Sequence, residues 1–246
     1  MNIKIIHETE NYLVISKPIG IAVHPGADRV SFTIMNWLLE KYPEIEKQDW
    51  QSRDRIGIVH RLDKDTSGIM ILAKNQVALD FFQDQFRNRE VEKYYRTLVY
   101  SKPPQEHGFI DALISRDYKD RKKQKVESID FELDWRERKN VATEYWIEKK
   151  FTYKKEILSF LLVRIYTGRK HQIRAHMKYE GCPVVGDETY NIKPSRKISK
   201  DLEISRQFLH SVRLKIKDFD TKEMIEFSDE LPEDLSVILS KLKAQN

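Results

Sequence analysis

The sequence predicts an α+β fold in which a β-sheet is flanked by helices. Short runs of apolar and β-branched residues, each bounded by turn-forming residues, predict strands. Longer segments in which apolar residues recur at helical spacing predict amphipathic helices. The predicted strands are 3–7, 12–16, 69–73, 91–99, 141–147, 157–166 and one that begins at 208, and the predicted helices are 32–42, 75–88, one between Gly168 and Gly181, and 232–243.

Turn signals and apolar patterns place several of these elements more closely. The turn-forming residues 8–11 separate the first two apolar runs and predict two early strands or a hairpin. Both faces of the strand 157–166 are largely apolar, which is typical of a strand in the middle of a sheet. Ser31 and Asn75 are the expected N-terminal caps of the first two helices, because their side chains can accept hydrogen bonds from free backbone N–H groups.

The composition predicts a soluble and heavily charged protein. The chain has 246 residues, a formal net charge of +5 and a pI of about 9.0. This excess of cations suits a polyanionic partner, although an ordinary basic protein has the same balance. Cys182 is the only cysteine, which excludes an internal disulfide and suits the reducing cytoplasm. No segment reaches the ~18 apolar residues of a membrane helix, so no membrane partner is expected.

The segment 59–68 concentrates cations, carboxylates, hydroxyls and a glycine directly before an apolar strand. It has three interpretations. The first is a surface turn, since these residue types are common in turns. The second is a calcium loop, but Lys74 occupies the twelfth position, where such a loop needs a glutamate. The third is a catalytic carboxylate, Asp63, which neighbouring cations keep ionised.

The segment His60-Arg61-Leu62-Asp63-Lys64-Asp65-Thr66-Ser67-Gly68 resembles, at every position, the central motif of the RluA-type family of RNA pseudouridine synthases. Segments 13–25 and 167–177, followed by Val185-Gly186-Asp187 and Tyr190, are similar to further motifs of that family. The resemblance implies a single catalytic domain over 1–246 with a mixed, largely antiparallel central sheet flanked by helices. Many members carry an S4-type RNA-binding domain before the first motif. Here the pattern starts by residue 10, so we expect that domain to be absent.

The resemblance also implies the catalytic residues. Asp63 would be the catalytic carboxylate, acting either as nucleophile or as base. Tyr95 would stack on the target base, although a register shift of one residue would place Tyr94 there instead. Arg174 would pair with Asp63 and oppose its protonation, since a guanidinium binds a carboxylate at two points. The alternative is that Arg174 is an ordinary solvated arginine on a short helix.

The expected RNA contacts follow from the same resemblance. Arg61 would fill the space that the flipped base leaves in the RNA stack; alternatively, it simply pairs with Asp65. Arg121, Lys122 and Lys123 lie in a basic loop that is similar to one in family members. They are candidate contacts to the RNA backbone, and the alternative is a solvated charged face.

The implied activity is the isomerisation of specific uridines in structured ribosomal or transfer RNA. No cofactor or metal is expected, because the reaction involves no redox change and no net hydrolysis. The protein would act as a monomer in the cytoplasm. Two rival functions stay open: a non-catalytic RNA-binding module on the same fold, and a metal-dependent hydrolase that uses Asp63 and Asp65. Lys64 and Lys74 disfavour the second, because they place cations where a metal would bind.

Overall fold

The computed structural model divides the chain into two compact units. Unit 1 consists of residues 1–92 and 211–230, and unit 2 of residues 93–210 and 231–246. This division does not test the single domain expected from the sequence, which stays a prediction. The residues that the structure describes are 2–25, 32–118, 120, 123–127 and 141–244.

In chain order the strands are β1 (Lys4–Glu8), β2 (Tyr12–Lys17), β3 (Ser67–Ala73), β4 (Glu92–Tyr100), β5 (His107–Arg116), β6 (Gln124–Glu127), β7 (Val141–Tyr153), β8 (Glu156–Ile165), β9 (Leu209–Lys217) and β10 (Met224–Ser228). The helices are α1 (Ile34–Lys41), α2 (Pro43–Glu46), α3 (Gln76–Arg87), α4 (Gln172–Tyr179), α5 (Lys193–Asp201) and α6 (Glu233–Lys243), with a short 3-10 turn at Arg53–Arg55.

The sheet of unit 1 carries the predicted hairpin at one edge. Its strand order is β1-β2-β3-β9, with β10 beside β9. The pairs β1/β2, β2/β3 and β9/β10 are antiparallel. Every residue of β3 is buried, as the uninterrupted apolar run 69–73 predicted. The strand that follows the polar segment 59–66 is therefore a rigid base for it.

The sheet of unit 2 has the order β4-β8-β7-β5-β6, and all four pairings are antiparallel. Because β8 lies between β4 and β7, the prediction that 157–166 is a central strand is confirmed. The apolar stripe of α6 packs into the core of this unit, as its helical spacing predicted. The stripe consists of Leu235, Ile238, Leu239 and Leu242. The α+β fold with a largely antiparallel sheet flanked by helices is thus confirmed.

One helix cap differs from the prediction. The cap of α1 is Thr33, whereas the predicted cap, Ser31, lies outside the described residues. The Thr33 Oγ1 accepts from the Asn36 backbone N–H at 3.2 Å, and the Asn36 Oδ1 accepts from the Thr33 N–H at 3.0 Å. This reciprocal pair needs a polar partner three residues after the cap, which Thr33 has in Asn36. Asn75 caps α3 as predicted, accepting from the Ala78 N–H at 2.9 Å.

Gly68 joins the polar segment to β3 at a point where no other residue fits. Its φ is +117°, a conformation that side chains disfavour. A Cβ atom placed there would lie 2.3 Å from the backbone oxygen of Ser211 in β9. The glycine therefore lets two backbones approach directly behind the segment that contains Asp63.

We predict that Gly68→Ala lowers the free energy of unfolding by more than about 3 kcal/mol, because it combines backbone strain with a clash against main chain. Gly20→Ala is the control. Gly20 also has a positive φ, +77°, but nothing lies within 4 Å of its Cβ position. It should cost only about 1–2 kcal/mol. Urea unfolding measures both, and equal losses would contradict the close approach at Gly68.

Candidate active site

Asp63 lies in a tight turn at the entrance to β3. Its side chain is half-buried, and the following Thr66 and Ser67 are buried. The Asp63 backbone oxygen accepts from the Thr66 N–H at 3.1 Å, which closes the turn. The carboxylate thus stands on a short loop, between solvent and the apolar strand behind it.

A buried lysine holds the main chain of this turn. Lys17, at the end of β2, has no solvent exposure. Its ammonium donates to the backbone oxygens of Pro18, Ile21 and Lys64 at 2.8, 3.0 and 2.9 Å. The Gly20 N–H also donates to the Lys64 oxygen, at 3.0 Å. The backbone oxygen of Lys64, the residue after Asp63, therefore accepts two hydrogen bonds that hold it in place. Sequence analysis gave Lys17 no role, because backbone acceptors leave no mark in a sequence.

His60 anchors the start of the segment. Its Nε2 accepts from the Ile71 N–H in β3 at 3.1 Å, so this nitrogen carries no proton and the ring is neutral. The ring also stacks on Phe86 of α3, with centroids 4.5 Å apart and planes 19° from parallel. Phe86 is half-buried and supports the histidine. The segment is thus held at both ends, by His60 and by Gly68.

Arg61 is exposed and hydrogen-bonds His24 rather than Asp65, the partner that the simpler interpretation gave it. Its Nη1 lies 3.2 Å from the His24 Nε2. The other ring nitrogen of His24, Nδ1, lies 2.9 Å from the backbone oxygen of Pro25. An oxygen accepts only, so Nδ1 donates to Pro25 and Nε2 accepts from the arginine. His24 therefore orients the guanidinium.

In unit 2, Arg174 is a buried residue of α4 and not the solvated arginine of the alternative interpretation. Its Nε donates to the Asp187 Oδ2 at 2.6 Å, and its Nη2 donates to the Asp187 Oδ1 and the Thr189 Oγ1, both at 3.0 Å. Side-chain exposure is 7% for Arg174 and 0% for Asp187. The predicted pairing of Arg174 with Asp63 stays a prediction. Asp187, noted only as part of a motif, is the partner that sequence analysis missed.

Tyr190 ties α4 to the basic loop. Its hydroxyl accepts from the Gln124 N–H at 2.7 Å and lies 3.1 Å from the His171 Nδ1. The Arg174 guanidinium lies 5.3 Å from the centre of its ring. Lys123 stands beside this contact, partly exposed and paired with Asp120 at 3.3 Å. The other two predicted backbone contacts, Arg121 and Lys122, lie outside the described residues.

The two neighbouring tyrosines of β4 lie on opposite faces of the strand. Lys93 and Tyr95 are buried on one face of the strand, with exposures of 6% and 7%. Tyr94 points to the other face, where the Arg164 guanidinium lies 5.6 Å from its ring centre. Tyr95 stands opposite Val163 of β8. The two tyrosines are thus in different environments, and only Tyr95 shares the buried face with Lys93.

His176, on the same helix as Arg174, is unsuited to proton transfer at neutral pH. Burial lowers its pKa to about 4, so the ring is neutral there. Its Nδ1 lies 2.9 Å from the Thr143 Oγ1. Within the described ranges, no cluster of three or more His, Cys, Asp or Glu residues could hold a metal ion. No helix in that part of the chain has the length and apolar character needed to cross a membrane.

Comparisons with known proteins agree on one family. A family described as RNA pseudouridylate synthase matches residues 11–179. An RNA pseudouridine synthase of Chlorobaculum parvum is 37% identical over 98% of this chain and 74% of its own length. The ribosomal large subunit pseudouridine synthase D of Borreliella burgdorferi is 35% identical over 97% of this chain and 68% of its own length. A similar protein of Aquifex aeolicus is 41% identical over 78% of this chain, and the match spans 57% of its own length.

Two solved structures of human proteins have a similar fold. The structure of human RNA Pseudouridylate Synthase Domain Containing 4 has a TM-score of 0.73 at 23% identity, and covers 98% of this chain and 93% of the human chain. Human RNA Pseudouridylate Synthase Domain Containing 1 has a TM-score of 0.70 at 24% identity, with coverage of 99% and 95%. At these identities the similarity concerns the fold.

We predict that Asp187→Asn lowers the free energy of unfolding by roughly 3–5 kcal/mol, because it leaves the Arg174 charge buried without its carboxylate. Glu148→Gln is the control. Glu148 binds Arg96 in the same two-point geometry, at 3.1 and 3.2 Å, but both side chains are well exposed, Arg96 at 41% and Glu148 at 30%. That loss should stay near 1 kcal/mol. Chemical denaturation compares the two variants. If Asp187→Asn loses no more free energy of unfolding than the control, the buried pair is not important for stability.

Proposed function

Because the chain belongs to the family of RNA pseudouridine synthases, we propose that it converts specific uridines of structured RNA to pseudouridine, with Asp63 as the catalytic carboxylate. The observation that carries the proposal is the construction of the Asp63 turn. Lys17 and Gly20 hold its main chain, and His60 and Gly68 fix its ends, while the carboxylate remains half-buried. Catalysis requires a reactive group held in one geometry, and this turn supplies it.

The proposed reaction is an isomerisation. The bond between uracil N1 and ribose C1′ breaks, the base rotates, and a bond forms between C5 and C1′. The proton on C5 is lost and N1 gains one, so atoms and electrons balance without a co-reactant. Asp63 would attack as a nucleophile or remove a proton as a base. Both roles require its ionised form.

We propose that Arg174 keeps Asp63 ionised by pairing with it. A guanidinium has five N–H donors, so its bonds to Asp187 are compatible with a second carboxylate. Asp187 would then hold the arginine in the orientation that this role needs. Tyr95, on the buried face of β4, would stack on the target base, since an aromatic ring offers a flat apolar surface.

We propose that Arg61 occupies the space left by the flipped base. It is exposed, and its guanidinium is oriented by His24 instead of being neutralised by a carboxylate. Lys123, with Arg121 and Lys122, would contact the RNA backbone. Ribosomal RNA is the substrate class that the name of the Borreliella burgdorferi relative suggests, and transfer RNA is the alternative. The proposed setting is the cytoplasm, with the protein acting as a monomer.

We predict that the protein releases tritium to water from ribosomal or transfer RNA transcripts labelled at uracil C5. Asp63→Asn should reduce the rate by about 1000-fold or more, because no other residue replaces the carboxylate. Asp84→Asn, which removes an exposed carboxylate from α3, is the control and should behave like wild type. Retention of the label by wild-type protein with every transcript would refute the proposal. If wild-type protein releases the label and the rate of Asp63→Asn equals it, Asp63 is not the catalytic group.

A further inference from the structure

Helix α5 presents a row of four cations to solvent. Lys193, Arg196, Lys197 and Lys200 recur at the spacing that places side chains on one face of a helix. All four are exposed, whereas Ser195 and Ile198 are buried on the opposite face. We call these four residues the α5 stripe. Because the buried face anchors the helix in unit 2, the stripe is held at a fixed place on the surface.

The α5 stripe is not neutralised by neighbouring carboxylates. Across the described ranges, none of its four side chains takes part in an ion pair. The acidic residues that follow it are engaged elsewhere: Asp201 with Lys154 at 2.8 Å, and Glu203 with Lys241 at 3.0 Å. A surface of like charges without carboxylate partners is repulsive by itself, and it gains most from an external polyanion.

The stripe borders a concave surface. A cavity of about 310 Å³ lies between α5 and the segment 186–191. Arg196 and Lys200 line one side of it, and Asn191 lines the other, accepting from the Arg196 Nη2 at 2.9 Å. Glu188 also lines the cavity and contributes one negative charge. Two cations and an amide around a cavity are suited to a phosphate group and the nucleotide attached to it.

This cavity adjoins the residues that hold Arg174. Asp187 and Thr189, the hydrogen-bond partners of that arginine, lie in the same segment, 186–191. At Gly186 the segment packs directly against other main chain, since a Cβ there would lie 1.9 Å from the backbone oxygen of Arg206. An RNA strand bound at the stripe would therefore contact the segment that positions a proposed catalytic residue.

We propose that the α5 stripe binds the phosphodiester backbone of the RNA substrate, an inference that rests on the proposed function. The stripe extends over roughly 10 Å of helix, which matches about three stacked nucleotides of one strand. A membrane surface fits less well, because a helix that lies on a bilayer needs an exposed apolar face. Ile198, the only apolar residue of α5 besides Pro194, is buried in the core of unit 2.

The test neutralises the two cations at the cavity, in the variant Arg196→Gln/Lys200→Gln. The control is Lys149→Gln/Lys243→Gln, which removes the same charge from exposed positions of β7 and α6 in the same unit. The probe is a fluorescein-labelled RNA hairpin with uridines in its loop, and its anisotropy is measured over a range of KCl concentrations. The stripe variant should bind about tenfold more weakly and lose roughly 1.4 to 1.8 from the slope of log Kd against log salt. The control should stay within about twofold of wild type.

Steady-state tritium release separates this inference from the proposed function. For the stripe variant, KM should rise while kcat at saturating RNA stays near the wild-type value, since the stripe touches no reacting atom. Unchanged salt slope and KM, with an active wild type, would overturn the inference and leave the proposed function standing. An inactive wild type whose RNA binding still depends on the stripe would overturn the proposed function alone. An equal loss of RNA affinity in the control variant would also overturn the inference. So would a stripe variant that binds RNA like wild type but binds anionic vesicles more weakly.

Discussion

The hydrogen bonds of the buried Lys17 ammonium are the constraint on which the candidate site depends. A fully buried ammonium is tolerated only when its donors are satisfied, and here three backbone oxygens converge on it. One of them belongs to Lys64, the residue that follows Asp63. The hydrogen bond from Lys17 to Lys64 therefore joins the end of β2 to the Asp63 turn, and breaking it would leave a buried ammonium donor unsatisfied. With His60 bound to β3, the turn takes its shape from the protein and needs no RNA to order it.

In unit 2, buried polar partners likewise fix the orientation of a side chain, Arg174. Arg174 is buried, and Asp187 fixes its plane through two hydrogen bonds while also accepting from the Thr189 and Tyr190 N–H groups. Reorganisation of such a group during a reaction would be costly, so its orientation is set in advance. The charges required by the proposed chemistry are the Asp63 carboxylate in unit 1 and the Arg174 guanidinium in unit 2. Hydrogen bonds from or to buried polar groups position both, and apolar packing stabilises the elements that carry them.

The sequence predicted what depends on periodic patterns and missed what depends on distant partners. The unbroken apolar run of β3 and the apolar stripe of α6 were sufficient to place those elements. Helix α5 was not predicted, because Pro194 and Ile198 are the only apolar residues between Lys193 and Asp201 and they form no stripe. The roles of Lys17 and Asp187 were also missed, since their partners are backbone atoms or a residue on another element. Both become visible only after the chain folds.

The most direct test of the central claim is to map pseudouridine in the total RNA of cells that lack this protein and then receive either the wild-type chain or Asp63→Asn. We predict one or a few uridines that are modified only when the wild-type chain is present. The Asp63→Asn chain, expressed at the same level, should leave those uridines unmodified. Modification of the same uridines by both chains would contradict the assignment of Asp63, and identical RNA in all three cell lines would contradict the proposed activity.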